Sequence, residues 1–193
     1  MSAALLMCAV CALKAEAAER LGSPDKRIQV TIEMPAPGST DRPRWSATFR
    51  GSQVLTNCQL GLEIADGGEL MAGSRLTKQT RRSNDKTIPV LFGKSDHARD
   101  RFNELSFTFQ NREKRRVEVN FHCYDDAIAL RYVLPAGPQT QPVTVKDETT
   151  SFGLDGDPVA YVQYLENYQT SHEHNVTQVR YGDLKSGALL DMP

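Results

Sequence analysis

An all-β domain of antiparallel strands packed as a sandwich is the fold class this sequence predicts. Two observations carry the prediction. Apolar residues recur with period two in run after run, and turn signals separate the runs every eight to fifteen residues. A third is negative: no stretch shows the spacing of a good amphipathic helix.

The strands follow in order. Ser23-Pro24-Asp25-Lys26 is a turn signal, and after it Ile28, Val30, Ile32 and Met34 alternate with Gln29, Thr31 and Glu33. Pro35 to Pro43 reads as a loop. Trp45, Ala47 and Phe49 form the next strand, and Gly51-Ser52 turns it into Gln53-Val54-Leu55 as a hairpin. Leu60, Leu62 and Ile64 alternate again before the turn Asp66-Gly67-Gly68. Ser74 to Arg82 is polar but β-compatible and predicts a hairpin edge. Asn84 to Pro89 predicts a loop, Val90 to Lys94 a short buried strand, and Ser95 to Arg101 a helical turn or ordered loop.

The clearest pair comes next. Leu105, Phe107 and Phe109 alternate with polar residues, and a charged turn over 111–115 leads to Val117, Val119 and Phe121. The block Arg112-Glu113-Lys114-Arg115-Arg116 therefore reads as a solvated turn. Tyr124-Asp125-Asp126 turns the chain into Ala127–Leu134, nearly all apolar, which predicts a strand buried on both faces. Val143 to Val145 and Ser151 to Leu154 read as short strands. The turn Asp155-Gly156-Asp157-Pro158 closes that region.

Length and charge set limits. At 193 residues the chain suits one domain with a sizeable core, and a formal charge of −1 gives no argument for a nucleic-acid surface. No apolar stretch is long enough for a membrane span. Ala3 to Leu13 is a short apolar run followed by Ala15-Glu16-Ala17, the small-x-small pattern of a signal-peptidase site. Residues 1–17 thus read as a signal peptide and 18–193 as the mature domain, secreted or periplasmic. Cys8 and Cys11 lie in the leader. Cys58 and Cys123 remain, either as a disulfide contributing about 4 kcal/mol or as two buried thiols. The apolar ending Leu189-Leu190-Asp191-Met192-Pro193 starts like another strand, so the polypeptide is expected to continue.

From Phe92 onward the sequence resembles the N-terminal domain of glycoside hydrolase family 97, bacterial α-glucosidases and α-galactosidases. Phe92-Gly93-Lys94 with Arg99-Asp100-Arg101-Phe102-Asn103-Glu104-Leu105 is similar to the family's W-G-K and R-D-x-Y-N-E-L. Tyr124 to Tyr132 is similar to its Y-D-D-G-x-A-F-R-Y, with Ala127 in place of the turn Gly. Ser23-Pro24-Asp25 matches the usual lead-in, and the order and spacing agree over residues 23–193. The resemblance implies a β-super-sandwich like galactose mutarotase, packed on a (β/α)8 barrel that holds the acid and base carboxylates. It also implies an active-site Ca2+ held by barrel glutamates and by one glutamate late in the sandwich.

That glutamate matches Glu173, between His172 and His174, where the family usually shows an aromatic pattern such as Y-E-x-x-Y. The surrounding stretch, Val159 to Thr177, gathers Tyr161, Tyr164, Tyr168, Glu166 and Glu173 with the two histidines. A hard cation takes carboxylate oxygens, so a glutamate with free access is the right chemistry, and several more oxygens must join it. Glu166 is the fallback. His172 and His174 would share a face of an extended segment and are candidates to contact substrate hydroxyls. The tyrosines read as core or interface packing, or as sugar-stacking rings. Asp125 and Asp126 read as turn residues, and Asn103-Glu104 as ordering the preceding loop.

Two functions follow. The first is the non-catalytic sandwich of a calcium-dependent α-glycosidase acting on oligosaccharides, incomplete as an enzyme without its barrel. The second is a stand-alone secreted carbohydrate-binding sandwich. Fold alone does not separate them.

Overall fold

The computed structural model describes residues 18–135 and 142–191. The signal-peptide assignment over 1–17 lies outside them. Every regular element among the described residues is a strand, apart from one short 3-10 turn at Tyr181–Asp183.

The first sheet is a meander of β1 (Ala18–Gly22), β2 (Ile28–Glu33), β3 (Arg44–Phe49) and β4 (Ser52–Gln59), antiparallel in chain order. Its first turn is held by side chains. The Ser23 hydroxyl accepts from the Ile28 amide at 3.0 Å and Asp25 accepts from the Arg27 amide at 3.0 Å. The β3–β4 hairpin has only two loop residues, Arg50 (φ 50°) and Gly51 (φ 84°). Two positive φ values suit the right-handed twist of the strands they join.

A small hairpin follows, β5 (Glu63–Ile64) with β6 (Gly68–Glu69). Then come the long strands of the second sheet, β7 (Arg75–Pro89), β8 (His97–Gln110), β9 (Arg116–Tyr124) and β10 (Ile128–Val133). Their order is β10-β9-β8-β7, all antiparallel. A short β11 (Val145–Asp147) pairs with β5. The last sheet has β12 (Val159–Leu165) at its centre, between β13 (Thr177–Arg180) and β14 (Leu189–Asp191).

β1 lies over β8 and β2 over β9, so the two four-stranded sheets face each other as the alternation predicts. Val30, Ile32, Trp45, Leu105, Phe107 and Phe121 fill the space between them at 2% exposure or less. Trp45 meets the Phe121 ring edge-on at 5.8 Å between centroids, and Phe107 meets it at 6.4 Å. Such pairs add stabilisation beyond the apolar area they bury.

The structure corrects several expectations. Asn84–Pro89 and His97–Arg101 are not loops; they are the outer halves of β7 and β8, in register from Pro89↔His97 inward. They lack apolar alternation because neither face is covered. Between them, residues 90–94 are not a buried strand but a hairpin tip, with Leu91 93% and Phe92 84% exposed. The run Ala127–Leu134 is not central: β10 is an edge strand. Ile128, Leu130 and Tyr132 pack against the core while Ala129 and Arg131 are exposed. Ala127 avoids positive φ, so the missing turn glycine introduces no strain there. Cys58 and Cys123 are free and buried, and burial pushes the Cys123 thiol up to about 12.

Candidate functional site

The C-terminal sheet positions the His172-Glu173-His174 segment. Gln163 sits near the middle of β12, 8% exposed, opposite Asp191 of β14. This cross-strand pair takes hold of the segment in two ways. The Gln163 side-chain amide donates to the carbonyl of His172 at 3.0 Å and also to the carbonyl of His174. Asp191 meets the imidazole Nδ1 of His172. The backbone is thus pinned on both sides of Glu173.

Glu173 itself is exposed. Its amide donates to the Ser171 hydroxyl at 3.2 Å, while its carboxylate forms no hydrogen bond or ion pair with any described residue. A single unpaired carboxylate on a fixed segment suits a hard cation as one of its six to eight oxygen ligands. Among the described residues no three His, Cys, Asp or Glu side chains gather as a metal-binding group. The described residues alone thus offer no complete cation site at Glu173.

The two histidines differ. His172 reaches solvent and Asp191, whereas Nε2 of His174 is buried with no partner among the described residues. His172 is exposed and His174 only partly so. Tyr161 and Tyr168 are 60% and 75% exposed, which removes core packing as their role. Tyr164 is partly covered, with the Lys185 ammonium 5.0 Å from its ring centre. Glu166, the fallback, is exposed.

A second polar cluster lies on the outer face of the second sheet. Register places Arg82, Glu104 and His122 side by side on β7, β8 and β9. Arg82 donates to both carboxylate oxygens of Glu104, at 2.5 and 2.7 Å, and Nε2 of His122 lies 2.5 Å from Oε2. The Ser106 hydroxyl donates to Oε1 at 3.1 Å, and Phe102 stacks on the His122 ring at 4.0 Å. The Arg82 guanidinium, ahead of the His122 and Ser106 bonds, holds the Glu104 carboxyl down to about 2. Both oxygens are occupied, so Glu104 is an ion-pair node and not a proton shuttle. Nor does it order a loop, since it sits within β8. Sequence reading missed the node because only strand register brings residues 82, 104 and 122 together. The available signal was three polar residues at the solvent-facing positions of apolar-alternating strands.

Asp125 is structural, as its turn position predicts. It accepts from the Asp25 amide at 2.8 Å and from Arg101 at 3.0 Å, joining the β1–β2 turn to the β9–β10 turn. Asp126 lines an open, mainly apolar cleft of about 420 Å³ with Ile28, Phe49, Val54 and Ile128.

Comparison with known proteins agrees with this architecture. The family model described as Glycosyl-hydrolase 97 N-terminal matches residues 21–193. The retaining alpha-galactosidase of Bacteroides thetaiotaomicron is 26% identical over 200 residues, covering 98% of this chain and 28% of that protein. A probable retaining alpha-galactosidase of Streptomyces bingchenggensis is 30% identical over 128 residues, or 66% of this chain and 19% of that protein. Among solved structures, a glycoside hydrolase family 97 enzyme in complex with acarbose, from Pseudoalteromonas sp. strain K8, superposes with a TM-score of 0.70 at 20% identity. The match covers 83% of this chain and 24% of that one. A beta-arabinopyranosidase gives 0.69 at 22% identity over 82% of this chain and 26% of that one. At such identities the superpositions establish the fold. The chain spans less than a third of the length of either curated relative.

Proposed function

Because the chain belongs to the glycosyl-hydrolase 97 N-terminal family, we propose that it is the non-catalytic β-sandwich of a secreted, periplasmic, calcium-dependent α-glycosidase that hydrolyses α-glycosidic bonds in oligosaccharides. In this reading the sandwich packs on a (β/α)8 barrel that carries the acid and base carboxylates, and it forms one wall of the pocket. The observation that supports it best is Glu173, a carboxylate without a partner among the described residues, on a segment clamped through both flanking carbonyls.

Glu173 would supply one carboxylate ligand to the Ca2+, alongside barrel glutamates. A cation held there would supply positive charge to stabilise a departing oxygen. The contribution of this chain is to hold that ligand in place. Gln163 fixes the backbone, and Asp191 turns the His172 ring, so that Glu173 loses little freedom when it binds. His172 and His174 flank the metal ligand, and the exposed His172 is the one open to substrate hydroxyls, since Nε2 of His174 is buried.

The test uses the full-length protein. Glu173→Gln keeps the size of the side chain and removes its charge. Calcium affinity measured by calorimetry is expected to fall at least tenfold, and activity on α-linked oligosaccharides to recover as calcium is raised. Unchanged calcium affinity would sink the assignment of Glu173.

A second reading is a stand-alone carbohydrate-binding module, favoured by the exposed rings of Tyr161 and Tyr168. The intact mass of the native product decides between them. A product slightly below the 21.5 kDa of the full sequence, as removal of the leader would leave it, that binds oligosaccharide would support the module, and a several-fold larger one the glycosidase.

A further inference from the structure

The β7–β8 hairpin outruns its sheet. β9 ends at Tyr124, opposite Phe102, while β7 and β8 stay paired through Asp85↔Arg101, Lys86↔Asp100, Thr87↔Arg99, Ile88↔Ala98 and Pro89↔His97. These pairs make a two-stranded ribbon roughly 15 Å long beyond the sheet edge. Asp85 to Pro89 and His97 to Arg99 are all exposed, so both faces of the ribbon meet solvent.

A two-stranded ribbon alone is marginal in water, yet this one is braced. Arg99 grips Asp85 through two bonds of 2.8 Å, and the Asn84 side chain donates to the Asp100 carbonyl at 2.7 Å. Arg101 ties the base of the ribbon to Asp125 at 3.0 Å. The tip is braced as well: the Val90 amide donates to the Asp96 carbonyl at 2.8 Å and the Ser95 hydroxyl to the His97 carbonyl at 2.6 Å. Gly93, with φ of +122°, makes the bend. The end of this stiffened arm carries Leu91 and Phe92, the two most exposed large apolar side chains among the described residues, at 93% and 84%.

We propose that the arm is an intrachain clasp whose Leu91–Phe92 tip inserts into an apolar pocket on the catalytic part of the same polypeptide. The inference rests on the glycosidase reading above. Area selects the occupant. Two such side chains bury only about 300 Å², whereas a stable contact between separate molecules needs about 1,200–2,000 Å² in total. A covalently linked domain is already held at high effective concentration, so a small knob suffices there. A knob seated in a second copy would instead be a head-to-tail contact, which grows into polymers unless it closes as a ring.

Hydroxyl-radical footprinting of the full-length protein, read by mass spectrometry on the peptide holding residues 90–96, tests the clasp. Leu91 and Phe92 should be oxidised at least tenfold more slowly than in the same peptide after digestion. The double variant Leu91→Ser/Phe92→Ser should fold, since neither side chain is buried in this domain. It should also be cleaved by protease between the sandwich and the following domain several-fold faster than the wild type. Oxidation of the tip at the free-peptide rate in a full-length protein would overturn the clasp alone and leave the glycosidase reading in place. Protection that disappears on dilution, with the mass of a dimer, would overturn it in favour of a second copy. A native product without a further domain would remove both readings together.

Discussion

The side-chain amide of Gln163 has two N–H donors, and both of its contacts fall on the backbone around Glu173. Each neutral hydrogen bond contributes about 0.5–1.5 kcal/mol net. Their larger effect is geometric, since a ligand held in place loses less entropy on binding. Gln163→Leu keeps the shape of the side chain and leaves the two carbonyls without their donor. On the proposed calcium role of Glu173, this variant of the full-length protein should weaken calcium binding about three- to tenfold, equivalent to about 1 kcal/mol, while Glu173 remains intact. Calorimetry beside Glu173→Gln checks it; an unchanged affinity would mean that the clamp does not tune the ligand. Glu173 stands out in the sequence only through its resemblance to a family pattern, because an exposed carboxylate in a loop carries no periodic signal. Gln163 was not legible at all. Its role depends on β12 and the 172–174 segment lying side by side, which strand pairing brings about and residue spacing does not reveal.

The β3–β4 hairpin is a two-residue turn in which Arg50 bears a positive φ of 50°. For an L-residue with an ordinary side chain that conformation costs about 1–2 kcal/mol. Asn adopts it far more readily, and Asn-Gly is a favoured sequence for turns of this kind. Arg50→Asn gives up the guanidinium 5.2 Å from the Phe49 ring centre, an exposed contact worth about 0.5 kcal/mol. The net expectation is a gain of about 0.5–1 kcal/mol, read as a higher urea midpoint with an unchanged slope. A lower midpoint would show that the cation–ring contact outweighs the backbone. The turn itself was readable from Gly51-Ser52, as were the alternating strands β2, β3, β8 and β9, whose inner faces are buried. The arm of β7 and β8 was misread for the opposite reason. Alternation marks only strands with one covered face, and an uncovered ribbon resembles a polar loop. The apolar run into β10 misled in another way, because an edge strand can be rich in apolar residues when only one of its faces packs.

Over the whole molecule, carboxylates fasten strands and sheets together, which makes stability depend on pH. Glu104 joins β7, β8 and β9 through Arg82 and His122, and Asp25 orders the β1–β2 turn that Asp125 ties to the β9–β10 turn. Both Glu104 and Asp25 have folded-state carboxyls held below the ordinary range, Glu104 by Arg82 and Asp25 chiefly by the Arg27 amide and the Ser23 hydroxyl. A depressed carboxyl stabilises the fold fully above its unfolded value and loses that contribution as pH falls through the folded one. For Glu104 the window runs from the ordinary 4.5 down to about 2. Stability should therefore be flat above pH 5 with respect to these groups and fall steadily below it. Arg82→Met separates the node from the rest. It leaves a carboxylate, only 7% exposed, without its main partner, so at neutral pH it should destabilise by about 2 kcal/mol, less than a fully buried pair because Arg82 is itself largely exposed. As the pH drops from 4.5 towards 2 the difference between variant and wild type should close, because a protonated Glu104 no longer needs the guanidinium. Urea denaturation of both proteins at a series of pH values measures this. A constant difference across that range would show that Arg82 stabilises through its packing over the Phe102 ring, 5.5 Å from its guanidinium carbon, and not through its charge.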